Sequence, residues 1–588
     1  MLALGEIAPF SSLPAAALAR LEKRVALRTF EAGTIVMRMG DVGQHMHAIA
    51  SGAVQVQLDE LPAVHGRSAL LGPGRIFGEM ALLSDLPVSA TVTAAKDTTT
   101  YRLDRSVFLE LLDEEPLAYR SLTHLLVDRL RHRTSGKPNS LRPGVAVLAI
   151  DEATPCRSRL IDALFAGIRY YAPGSTLIPE PDAKRTAASD LPELVSRWRS
   201  EASGEQYLTL ALPPDSFARA ADSLEYGDVV LFLGDRVRWG ARIQELEAAL
   251  GAVDCARVYV PGSTNEDNSQ DRWAFRVDQE EIDAFDLHAE HWTRQRYPTL
   301  DWIARYCTFR EIGVALSIGA AAGFAHYGVL QTLEEADIPL DFLCGTSMGG
   351  IVALTCARYG TASEAGRQLC ERMGANAKIR DRCFIPRASL FSGRKAIQIA
   401  EDVFGTRTFA DLMKPAAVVS ADLVVGEKVV IDKGSAARAA HATAAIPGLF
   451  PPLLVADRLL VDGGLVTRVP VDVLNRRRCG YRLAINIVPA EGDPAQDRRE
   501  LALRLHQTMS KPLGLWKVIG ESWRLLGWWD AAMQAQRADM VVTVATPAHD
   551  RFNFDSGERM VGLGRTAAKS HIANISAAVT RLLSPGTP

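Results

Sequence analysis

The sequence lacks several features that would classify it at once. Its 588 residues hold only eight cysteines, at 156, 255, 307, 344, 356, 370, 383 and 479, with no Cys-x-x-Cys pair. So scattered a set argues against a disulfide scaffold or a zinc site and fits a reducing compartment. Neither sign of charge dominates: 66 Lys and Arg stand against 69 Asp and Glu, a formal net charge of −3. That leaves no basic field for nucleic acid and no polybasic membrane anchor. No Gly-Lys-Ser/Thr follows the apolar run VAVLAI; the turn there reads DEATPCRS, which offers no cradle for a nucleoside triphosphate. The N-terminal stretch has no basic n-region, and Glu6 interrupts its short apolar start, unlike a signal peptide. There is no internal repeat and no low-complexity tract. Two uncharged runs, 312–330 and 439–456, are broken by glycines or prolines and read as buried strand, turn and helix pieces instead of membrane spans.

What is present is ordinary for a soluble globular chain: 47% hydrophobic, 7% aromatic and 23% charged residues. At roughly 100–200 residues per domain, the length predicts about three to five domains. Residues 1–135 alternate as short strands (FEAGTIVMRMG, MHAIASGAVQVQL, TVTAAKDTTTYRL) between helical ends, a small β-rich domain. Residues 136–144 are polar and rich in Pro and Gly, a linker. Residues 145–310 carry the apolar runs VAVLAI, YLTLAL, DVVLFLG and ARVYVPG between helical stretches, a middle α/β layer of parallel strands. His288 and His291, beside Glu290, read as solvated or capping side chains, not metal ligands. Residues 311–565 form a further α/β unit, and 566–588 a C-terminal helix and tail.

The α/β unit at 311–565 carries the chemistry. Gly345-Thr346-Ser347-Met348-Gly349 is a Gly-x-Ser-x-Gly pattern between a strand (DFLC) and a helix (GIVALTCARY). Such a turn strains the serine backbone and needs small neighbours at Gly345 and Gly349, and it exposes the hydroxyl near a helix N-terminus. Upstream, VALSIGAAAGFAHYGVL reads as strand, small-residue loop and helix. The backbone of Gly319 and Ala320 is placed to donate to an oxyanion there, and a tight packing turn explains the same residues equally well. Downstream, Asp462 ends an apolar strand before Gly463-Gly464, which frees its carboxylate to point into a site or simply makes an Asp-Gly turn.

The three segments, in this order, resemble the patatin-like phospholipase family over about 250 residues. The resemblance implies a Ser-Asp dyad without histidine, in which Asp462 takes the proton of Ser347, an acyl-enzyme forms, and no metal or other cofactor is needed. His326 and His441 are expected to be structural. The sequence departs from the family at the oxyanion loop: Ala322 stands at the usual Arg/Lys position, and Ile318 and Ala320 at glycine positions. Two readings follow: a serine hydrolase of phospholipid or lysophospholipid acyl esters, or a weakly active or catalytically dead lipid- or partner-binding protein.

IFGEMALLSDLPVSATVTA (76–94) resembles the phosphate cassette of cyclic-nucleotide-binding domains, with a β-roll upstream and flanking helices. Gly78, Glu79 and Ala81 fit, and Ser89 is available to a ligand. Val88 stands where the family has the arginine that neutralises the phosphate, which argues against a bound cyclic nucleotide. The order of segments resembles bacterial relatives of neuropathy target esterase. Finally, 514–536 gathers Trp516, Trp523, Trp528 and Trp529 with Lys517 and Arg524, which suits either a lipid interface or packing on the core. A cytoplasmic protein, with peripheral contact on the inner membrane face through these tryptophans, is the corresponding expectation.

Overall fold

The computed structural model describes residues 3–57, 68–115, 144–178, 194–213, 228–234, 254–259, 273–286, 292–375, 389–489, 534–547 and 554–585, with residues 224, 381 and 531, but omitting 8, 9, 11, 12, 85, 86, 89, 96, 151–153, 155, 196, 200, 201, 203–205 and 456. Trp516, Trp523, Trp528 and Trp529, the 136–143 part of the linker, Ser89 and the His288/His291 pair lie outside the described residues. The chain divides into two compact units: Met1–Glu152 with Thr176–Phe232 and Arg238–Ala256, and Ala153–Ser175 with Leu233–Val237 and Arg257–Pro588.

In the first unit, the N-terminal residues build two four-stranded antiparallel sheets. One orders Ala26–Phe30, Thr98–Asp104, His45–Ser51 and Ile76–Phe77; the other orders Ile35–Met37, Thr91–Ala94, Val54–Gln57 and Ser68–Leu71. Helices Ala15–Glu22 and Arg105–Glu114 close the apolar cluster of Phe10, Leu21, Met46, Leu103 and Phe108. Thr176–Ile178, Tyr207–Leu212 and Gly144–Ile150 run side by side as parallel strands. The latter two are buried along their whole length. Such runs carry no alternation because helices cover both faces of a parallel sheet.

The second unit is organised by one large sheet. Its strands are β1 (Ile312–Leu316), β2 (Phe342–Thr346), β3 (Ala416–Asp422), β4 (Lys428–Ile431), β5 (Leu453–Val455), β6 (Arg458–Asp462), β7 (Tyr481–Pro489) and β8 (Met540–Thr546). Hydrogen-bonded neighbours run β5-β6-β3-β2-β1-β7-β8, with β2 and β6 end to end on one edge of β3 and β4 on its other edge. Strands β1, β2, β3, β7 and β8 are parallel; β4 and β6 run antiparallel to β3. Both uncharged runs noted in the sequence are spent here. The first is β1, a short 3-10 turn (Ala320–Phe324) and helix α1 (Ala325–Glu335); the second includes most of helix α3 (Ala436–Thr443). Between them lies helix α2 (Met348–Tyr359). Among the described residues, no helix is long and apolar enough to cross a membrane.

The start of β1 is fixed by buried charge. Asp341 accepts from the Ile312 N–H at 2.9 Å and from Arg305 Nη2 at 2.6 Å, and Arg305 also pairs with Asp301 on its own helix. All three charged side chains are at most 3% exposed. Pairs so desolvated stay ionised only with their partners in place, so they define the register of this edge more than they add stability. Helix Gly557–Lys569 lies against α1, where Gly328 and Gly564 let backbone meet backbone.

Candidate active site

The Gly-x-Ser-x-Gly pattern forms a sharp turn from β2 into α2. Ser347 sits at φ 56°, ψ −124°, in the left-handed half of backbone space that a side chain occupies only under strain of about 1–3 kcal/mol. The strain is held by contact on both sides. A Cβ on Gly345 would come within 2.2 Å of the Gly349 carbonyl, and one on Gly349 within 2.4 Å of the Ser317 carbonyl oxygen. Thr443, on α3, completes the clamp. Its Oγ1 accepts from the Ser347 N–H at 3.0 Å and donates to the Val419 carbonyl at 2.5 Å. Sequence reasoning missed Thr443, because nothing in its local pattern marks a residue that reaches a turn 96 positions away.

Strand register brings Asp462 to this turn. Thr346 is opposite Val419, and Ser420 is opposite Asp462. Because β4 occupies the other edge of β3 at Val418–Ala421, β6 must take up the edge that β2 leaves. Asp462 therefore follows directly on Thr346 along β3, beside Ser347. Its Oδ1 accepts from the Gly464 N–H at 2.7 Å, and the nearby Ser347 hydroxyl acts on the same carboxylate. Burial, with only 3% exposure, pushes the carboxyl up to about 6, and the Ser347 hydroxyl and the Gly464 N–H pull the other way. A buried carboxylate is thereby brought into the range of a working general base. Gly463 packs its α-carbon on the Val419 carbonyl, where a side chain would not fit.

Gly319 caps, and Ala320 begins, the 3-10 turn after β1, the positions whose N–H groups lack intrahelical partners. Ala320 has φ 48°, so this glycine position of the resembled family keeps its left-handed backbone with a methyl group on it. Ala320 and Ser347 line the same cavity. Ala322 is 1% exposed, within the buried apolar cluster that holds Leu316, Phe324 and Met348.

The two histidines are both buried. His326 is fully buried; its Nε2 donates to the Ser317 carbonyl at 2.9 Å, and desolvation lowers its pKa to about 4. It is a neutral strut that holds the Ser317 carbonyl against Gly349. His441 lines the cavity, and burial lowers its pKa too.

That cavity, of about 320 Å³, is walled by Met373, Ile399, Val403, Phe404 and Phe450 among others, with Ser347 in its lining. Helix Arg394–Phe404, strongly amphipathic, supplies much of the wall. At the roughly 30 Å³ that a water-sized group occupies, the space holds about ten methylene groups.

In the first unit, Gly78 (φ 86°) precedes the short helix Glu79–Ser84, and Glu79 is buried. A Cβ on Gly78 would lie 2.7 Å from the Met37 methyl. Val88 is folded into an apolar cluster with Met37, Ile49, Phe77, Ala81 and Val92, and its backbone pairs with Gly40 and Asp41.

Comparison with known proteins agrees with this division of the chain. Residues 314–475 match the family described as patatin-like phospholipase, and residues 27–115 match the cyclic nucleotide-binding domain. An uncharacterized NTE family protein of Mycobacterium tuberculosis is 26% identical over 468 residues, 73% of each chain. Patatin-like phospholipase domain-containing protein 6 of Mus musculus is 23% identical over 78% of this chain and 38% of its own length. Neuropathy target esterase sws of Drosophila melanogaster is 31% identical over 32% of this chain and 13% of its own. Among solved structures, the catabolite activator protein of Thermus thermophilus is 27% identical over 27% of this chain and 70% of that one, with a TM-score of 0.20. These matches support a lipid hydrolase. The chain carries a cyclic nucleotide-binding domain followed by a patatin-like phospholipase domain, and its homologues are neuropathy target esterase and NTE family proteins.

Proposed function

We propose that this chain is a serine hydrolase that cleaves acyl esters of phospholipids or lysophospholipids. The observation that carries the reading is the strand register that sets the buried Asp462 beside the strained Ser347, whose side chain lines an apolar cavity. Asp462 takes the proton as Ser347 Oγ bonds to the ester carbonyl carbon. The carbonyl electron pair moves to oxygen, where the N–H groups of Gly319 and Ala320 receive the charge. Collapse of that intermediate expels the alcohol, which leaves with the proton from Asp462. Water then repeats the sequence on the acyl-enzyme and releases the fatty acid. The cavity takes the acyl chain. A fluorophosphonate probe is expected to label wild type at Ser347 and to leave Ser347→Ala unlabelled. Lysophosphatidylcholine turnover is expected with wild type only, and hydrolysis by Ser347→Ala at the wild-type rate would refute the assignment. Across a lysophosphatidylcholine series, kcat/KM should rise with acyl length to about ten carbons and then level off, as the cavity fills.

The reading treats residues 1–135 as a docking or inhibitory module without a cyclic phosphate, since the position that would carry the neutralising cation is a buried valine. Titration calorimetry of the full chain with cyclic AMP and cyclic GMP should be silent; a saturable heat would overturn that part. The division at 135, 145 and 310 belongs to the same proposal.

A further inference from the structure

We propose that the second unit docks on neutral lipid surfaces through the tips of two β-hairpins, β3–β4 and β5–β6, that overhang Asp462. The inference rests on the lipid-hydrolase reading of the same site. Leu423, Val424 and Val425 form the turn after β3 and are 48%, 76% and 58% exposed. Leu454, on β5, is 60% exposed. Of the exposed large apolar side chains described in this unit, Met413 and Leu465 lie off these hairpins. One exposed leucine on a protein surface means nothing; four on two adjoining hairpins mark a contact surface.

The hairpins stand together. The Leu423 N–H donates to the Leu459 carbonyl at 2.8 Å, and Leu460 pairs with Asp422 two positions from the Ser420–Asp462 pair. The β5–β6 turn starts beyond Arg458, four residues from Asp462, or about 13 Å at roughly 3.3 Å per residue. The tips thus project past the base, at the carboxyl end of the parallel strands where Ser347 also lies. Acidic Asp422, Glu427 and Asp457 and basic Lys428 and Arg458 belong to these hairpins, and the Arg438 guanidinium donates to the Leu454 carbonyl at 2.7 Å, so three charges of each sign balance. Attraction to the surface then comes from apolar burial, which salt does not screen. A lipid fits this surface better than a protein partner because the proposed substrate ester has to leave a bilayer to reach Ser347, and the apolar tips lie at the same end of the sheet as Ser347.

The test is sedimentation of the full chain with phosphatidylcholine vesicles at low and high salt. Wild type and Ser347→Ala should bind equally, at both salt levels. Val424→Asp/Leu454→Asp should weaken binding roughly tenfold or more and slow vesicle-lipid hydrolysis by the same factor. Hydrolysis of a soluble short-chain p-nitrophenyl ester should be unchanged. Val424→Trp should tighten binding, which keeps the test open should the double variant fold poorly. Wild-type binding by the double variant together with no gain from Val424→Trp would overturn the proposal. So would binding to anionic vesicles alone that high salt abolishes, or binding lost in Trp528→Ala/Trp529→Ala while the hairpin variants bind as wild type. If Ser347→Ala retained hydrolysis while the hairpin variants behaved as expected, the hydrolase assignment would fall and the docking surface would stand.

Discussion

Asp462→Asn is expected to abolish ester hydrolysis and, at neutral pH, to make the second unit more stable. The activity side follows from geometry. The amide keeps the size and polarity of the side chain but cannot take the Ser347 proton, and loss of a general base costs roughly 10²–10⁴ in rate. The stability side follows from linkage. Folding raises this carboxyl from 3.8 to about 6. Between those two values the folded protein holds a proton that the unfolded chain has released, so stability falls as pH rises across the window. Above pH 6 the cost is complete, about 3 kcal/mol for a shift of this size. Asn carries no such cost, so its advantage should appear at pH 7–8 and vanish near pH 4. Thermal unfolding of both proteins at the two pH values measures it. In wild type, kcat/KM should rise with pH to a plateau with a midpoint near 6, because only the ionised carboxylate works as a base. A flat profile from pH 5 to pH 8, or an Asn variant less stable at pH 7, would contradict the assignment of Asp462.

Ala322→Arg, which would restore the basic residue of the resembled oxyanion loop, is expected to unfold this protein's loop instead of activating it. Ala322 is 1% exposed in the apolar cluster of Leu316, Phe324 and Met348. An arginine there forces a long charged side chain into packed apolar space, a cost of about 3–5 kcal/mol. Ala322→Met tests volume alone and should cost only about 1–3 kcal/mol. Calorimetric unfolding of the two variants against wild type separates charge from size. If Ala322→Arg instead kept its stability and hydrolysed lysophospholipid faster, the loop would lack a cation it needs, and the weakly active reading would gain. As it stands, the residues around Ala322 form an apolar core suited to alanine.

The sequence by itself determined the order of the parts and singled out the proposed reacting groups. A serine between Gly345 and Gly349, flanked by a strand and a helix, and an aspartate before two glycines are local patterns, and local backbone sterics confine each to a few conformations. The same holds for the valine at 88, whose lack of charge is legible without coordinates. The tertiary structure decided what those patterns do together. Whether Asp462 meets Ser347 depends on β6 taking up the edge of β3 that β2 leaves at Thr346, a register between segments far apart in the chain. Thr443, the strut His326 and the apolar cavity arise from the same long-range packing. Ala320 shows the division sharply. Its small size was readable, but the positive φ it adopts was not, since the turn that imposes it is set by the helix and strand packed on either side. Periodicity reports which face of an element is apolar; it does not report which element will cover that face, and here that choice sets the proton affinity of the base.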